Sequence, residues 1–137
     1  MPVRRPAHPL EHHPSFRAVI AAAPPLAELA TRMRVTDRSP RKGQPSTELD
    51  RAASGPSPAD LVGALAIVCG DLADGFAAPP DSRRRVMAHQ RAWIAVREID
   101  RAVTSAARRR LAPPEVVQRA QRAIDRADVL IGALLPG

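Results

Sequence analysis

Twelve arginines in the C-terminal half are the residues of this chain best suited to chemistry, and their chemistry is the binding of phosphate or carboxylate. They are Arg83, Arg84, Arg85, Arg91, Arg97, Arg101, Arg108, Arg109, Arg110, Arg119, Arg122 and Arg126. The guanidinium group is planar, permanently charged and presents a fork of donors that matches either anion. At roughly 100° per residue on a helix, Arg83, Gln90, Arg97, Arg101 and Arg108 fall in a narrow stripe beside an apolar arc. Arg84 and Arg91 lie on another exposed face. Arg108-Arg109-Arg110 forms a cluster at the C-terminal end, where cations also complement the helix dipole. Arg119, Arg122 and Arg126 extend the ridge onto the last helix. Such a ridge can contact phosphates, and ordinary solvated charge produces the same pattern.

The other reactive side chains point away from catalysis. Asp100 falls inside the apolar arc between Trp93 and Ala107, where a lone carboxylate is costly, so an arginine partner from another helix or subunit is expected. Asp71 and Asp74, three residues apart, are placed to hold the basic start Arg83-Arg84-Arg85. His89 shares the arc with Val86 and Trp93 and reads as a hydrogen-bonded core histidine. His8, His12 and His13 are flanked by Pro9 and Pro14 and lack the rigid support a metal site needs. Cys69, the only cysteine, excludes an intrachain disulfide and a CxxC metal site and reads as a buried structural thiol. There is no glycine-rich phosphate loop, no HExxH and no nucleophile elbow. The sequence therefore predicts a non-catalytic protein without cofactor or metal.

The whole chain is basic, with 21 Lys and Arg against 14 Asp and Glu and a formal net charge of +7. That balance favours polyanionic partners such as RNA, DNA or an acidic protein. Twenty of the 21 basic residues are arginine, a bias that a GC-rich genome produces unaided, so charge alone does not decide the partner. Tyrosine is absent and only Phe16, Phe76 and Trp93 are aromatic, too few rings for a base-stacking platform. No apolar run approaches the roughly 20 residues of a membrane span. A soluble, cytoplasmic protein is expected.

Helices must position these groups. Residues 1–14 hold four prolines and read as a flexible tail, and residues 36–58 read as a polar linker rich in Ser, Pro and Gly. Residues 15–35 read as helical on both sides of Pro24-Pro25; the pair favours a first helix over about 24–35, with Leu26, Leu29, Ala30 and Met33 buried, and leaves open whether 15–23 join it as a kinked extension. Leu61, Leu65, Val68, Leu72 and Phe76 predict a second over 59–76, ended by Gly75 in a left-handed conformation and by Pro79-Pro80. Asp81 or Ser82 caps a third, over 82–110, built on Val86, Trp93, Val96, Ile99 and Val103. Val117, Ala120, Ile124, Ala127, Ile131 and Leu134 predict a fourth, over 114–135. No segment alternates with period two. The expected fold is all-α, an antiparallel up-and-down four-helix bundle over 15–137.

With the helices placed, the junction Asp71-Leu72-Ala73-Asp74-Gly75-Phe76, followed by Arg83-Arg84-Arg85, resembles a family signature. In one family of bacterial four-helix bundles the second helix ends in Asn-Ile-Ala-Glu-Gly-Phe before a basic start to the third. That family includes the proteins encoded in 23S rRNA intervening sequences and the accessory variability determinants of diversity-generating retroelements. The segment Val96-Arg97-Glu98-Ile99-Asp100-Arg101-Ala102-Val103 is similar to the family's Leu-Arg-Glu-Val-Glu-x-x-Leu, and residues 127–135 resemble its closing helix. Asp71 departs from the preferred Asn, and the aromatic-rich first helix is missing. The resemblance implies a pentameric homo-oligomer that binds nucleic acid and serves as an accessory factor of a reverse transcriptase. The competing expectation is a structural or protein-docking bundle whose arginines bridge subunits.

Overall fold

The computed structural model describes residues 9–37 and 58–136, and the chain there is helical with no strand among the described residues. A single turn, α1 (Pro9–His12), precedes four long helices: α2 (Pro14–Asp37), α3 (Pro58–Ala77), α4 (Arg83–Arg108) and α5 (Pro114–Gly132). The long helices close a four-sided antiparallel bundle in which each packs on the two beside it, α5 returning to α2. Most of the expected linker lies outside the described residues.

The core is made by the apolar stripes that the spacing predicts. Leu26, Leu29, Leu61, Val68, Leu72, Val96, Ile99, Val103, Ile124 and Ile131 have no exposed surface. Alanines at positions 22, 88, 92, 106, 120 and 127 are equally buried and let the helices approach closely.

Two boundaries differ from the sequence reading. The first helix does not begin at Pro24; it starts at Pro14 and runs through Pro24-Pro25. A proline pair removes the bonds to the carbonyls of Ile20 and Ala21, two positions whose side chains are solvent-exposed, so water can satisfy both acceptors. The stripe Ala18, Val19, Ala22, Leu26 and Leu29 is buried on both sides of the pair, and that burial holds the helix together across it. Residues 9–13, grouped above with the tail, are also folded, with Leu10 only 8% exposed.

The second difference is Gly75. It lies inside α3 rather than ending it, and it is not among the positive-φ positions, which among the non-glycine residues are Asp81 (φ 62°) and Arg110 (φ 53°). Gly75 is required for closeness: a Cβ there would overlap Cδ2 and Nε2 of the His89 ring. Asp81 makes the turn, and Ser82 caps α4 by accepting from the Arg85 N–H at 3.2 Å. At the other end of α4, Arg110 N–H donates to Ala107 and Leu111 N–H to Ala106, at 3.3 and 3.0 Å. This is a Schellman closure with arginine where glycine is usual.

Candidate nucleic-acid interface

Four of the twelve arginines are engaged within the fold. Arg85 Nε donates to the Gly75 carbonyl at 2.9 Å and Nη2 to the Phe76 carbonyl at 3.1 Å, so it closes the C-terminal end of α3. Unsatisfied carbonyls there carry partial negative charge and suit a guanidinium fork. Arg91 Nε lies 3.4 Å from Asp71 Oδ1, and Arg119 Nη2 3.1 Å from Glu28 Oε1. Arg97 stacks over Trp93, 4.9 Å from the ring centroid, and reaches Asp128 at 4.0 Å. The Trp93 indole donates to the same carboxylate at 2.8 Å.

Several expected pairings are corrected by this geometry. Asp71 does not hold Arg83–Arg85; it pairs with Arg91, two turns further along α4, and Asp74 is exposed. Asp100 has no arginine partner among the described residues of its own chain: it is half-buried and accepts from Gln121 Nε2 at 2.6 Å. The same amide donates to Asp125 at 2.8 Å, and a carboxylate left partly in water needs no cation. His89 is buried as expected, yet its Nε2 has no hydrogen-bond partner among the described residues. Cys69 is half-buried rather than buried, and burial raises its thiol above the usual range, which disfavours the thiolate.

Arg83, Arg84, Arg101, Arg108, Arg109, Arg110, Arg122 and Arg126 are exposed and have no carboxylate partner among the described residues. Arg83 and Arg101 stand on one line of α4, five turns or about 27 Å apart at 1.5 Å per residue. Arg108 lies close to that line, and Arg109 and Arg110 continue it into the turn. The two helices differ in balance. Within α4 seven arginines face only Glu98 and Asp100, whereas the three arginines of α5 are matched by Glu115, Asp125 and Asp128. The basic surface is therefore α4 and its terminal turn, and α5 adds less than its arginines alone suggest.

Sequence reasoning missed two features of this surface. Met87 and Ile94, 45% and 55% exposed, lie within the arginine face. They were legible at the same helical angle as Arg83 but fell outside the apolar arc. The outward face of α3 is also largely small and apolar: Gly63, Ala66, Gly70 and Ala77 are exposed beside Val62 and Ile67, with Asp60 and Asp74 its exposed charges. Among the described residues no three His, Cys, Asp or Glu side chains gather as a metal site, and no helix is long and apolar enough to cross a membrane.

Comparison with known proteins finds no matching family model, curated protein or solved structure.

Proposed function

We propose that this protein is a non-catalytic, self-associating helical bundle that binds nucleic acid, RNA or DNA, through the arginines of α4 and its C-terminal turn. The observation that carries the reading is the selective lack of partners. Arg85, Arg91, Arg97 and Arg119 are engaged inside the fold, while Arg83, Arg101, Arg108, Arg109 and Arg110 are exposed and unpaired among the described residues. Unpaired guanidinium groups in a row offer a phosphate backbone a ladder of charge-assisted hydrogen bonds. The outward face of α3 supports self-association, because Val62 and Ile67, 49% and 60% exposed, fit another apolar surface, and its exposed charges, Asp60 and Asp74, are acidic and would repel a polyanion. A pentameric state and a reverse-transcriptase partner rest on the resemblance of residues 71–76 and 96–103 alone.

The test changes Arg83, Arg101, Arg108 and Arg110 together to Gln. Affinity for any nucleic acid should drop, with little dependence on base sequence. The log–log salt slope should flatten by roughly 0.7 to 0.9 for each phosphate that is no longer neutralised. Light scattering should show the assembly unchanged. Unaltered affinity and slope would refute the reading, and dissociation of the assembly would favour arginines that bridge subunits.

A further inference from the structure

The corner where the N-terminal segment meets α3 and α4 holds two imidazoles around one ring. The Phe76 centroid is 4.4 Å from that of His13 and 5.1 Å from that of His89. His13 immediately precedes Pro14, the first residue of α2, and its side chain caps that helix. The Ser15 N–H donates to His13 Nδ1 at 3.3 Å and the fully buried Ser15 hydroxyl lies 2.7 Å from the same nitrogen. A backbone N–H can only donate, so Nδ1 is the unprotonated nitrogen. His89, 3% exposed, is wedged against Gly75 with its Nε2 unpartnered. Both histidines are thus held in forms that a proton would disrupt.

We propose that His13 and His89 form an acid-sensitive clasp that closes the N-terminal segment over the α3–α4 corner at neutral pH and releases it as the pH falls. A proton on His13 Nδ1 would remove the acceptor that caps α2 and set a cation at a helix N-terminus, where the dipole repels it. A proton on His89 Nε2 would place a charge in a buried site where that nitrogen has no partner among the described residues.

The charges around the pair reinforce this. On α4, Arg85 lies 5.8 Å above the Phe76 ring, and its charge acts on His89. On α3, Asp71 is taken by Arg91 and Asp74 points to solvent, so neither compensates a buried imidazolium. At the start of α2 Arg17 is exposed, and so is His12, the last residue of α1. Beyond Asp128, itself bound to Trp93, α5 carries no titratable side chain. Burial holds both histidines below the ordinary value of 6.5, with Arg85 and His13 adding to the effect on His89.

The direction follows from linkage. The released state takes up protons from about pH 6.5 downward while the closed state resists them, so closure is complete above that value and weakens as the pH falls below it. Each histidine shifts the equilibrium by at most about tenfold per pH unit, and two acting together by at most about a hundredfold. Release would uncover Phe76 and the seat of Leu10.

The experiment is an NMR titration of the full chain from pH 8 to 5, reading both imidazole rings and amide exchange corrected for intrinsic rate. Protection at Ser15, Phe16 and Arg17 should fall along with both ring titrations below about pH 6.5, while α5 amides stay protected. The double variant His13→Asn with His89→Leu keeps a capping acceptor and removes both titrations, and its protection should be flat. Constant protection in the unaltered protein, loss spread evenly over α5, or an unchanged pH dependence in the double variant would overturn the clasp. If the double variant does not fold, the titration of the unaltered protein decides alone.

Discussion

Changing each of three glycines in α3 to alanine should have opposite effects, though the substitution and the helix are the same. Gly63 and Gly70 are exposed, and a Cβ on either meets nothing within 4 Å. Each Gly→Ala change there should gain about 0.8 to 1 kcal/mol from helix propensity alone. At Gly75 the same gain applies, but the new Cβ overlaps Cδ2 and Nε2 of His89. That ring is buried against Phe76 and cannot retreat into solvent, so overpacking should cost about 1 to 3 kcal/mol. Propensity cancels when Gly75→Ala is compared with Gly63→Ala, leaving the clash as the difference. At about 4 °C per kcal/mol for a domain of this size, the two variants should melt about 4 to 12 °C apart. Thermal unfolding followed by circular dichroism at pH 7.5 and two protein concentrations measures this and keeps assembly separate. Adding His89→Ala to Gly75→Ala should abolish the clash and give a coupling energy of similar size. Equal melting of Gly75→Ala and Gly63→Ala would refute the packing argument.

Replacing Arg85 by Gln should destabilise the bundle by about 1.5 to 3 kcal/mol, since the two charge-assisted bonds to the Gly75 and Phe76 carbonyls disappear; urea unfolding checks it. Arg110→Gly should stabilise by about 1 kcal/mol, because a left-handed residue closes α4 and glycine adopts that conformation without strain; the same unfolding curve, shifted to higher urea, is the expected result.

How far the fold was legible depends on the range of the interactions that decide each part. The seams of α4 and α5 follow from residues three and four apart, such as Ile124, Ala127 and Ile131, and these are local patterns. Pro24-Pro25 misled for the same reason: local chemistry favours a helix start, and only burial of Val19 and Ala22 against other helices outweighs it. Gly75 looked like a helix end because its actual reason, the His89 ring, lies fourteen residues away on another helix. The arginine ridge was visible as a stripe, but which members are engaged depends on Asp71, Glu28 and Asp128 across helix boundaries. No spacing within one helix encodes those pairs.

With one tryptophan and no tyrosine in the chain, near-ultraviolet emission comes from a single indole. Trp93 is half-buried on α4, donates to Asp128 of α5 and lies beneath the Arg97 guanidinium. Its excited state is sensitive to nearby charge, so drawing Arg97 toward a polyanion would shift the spectrum while the helices stay in place. The protein thus carries an unlabelled optical probe at the α4–α5 seam, beside the surface proposed to bind a phosphate backbone.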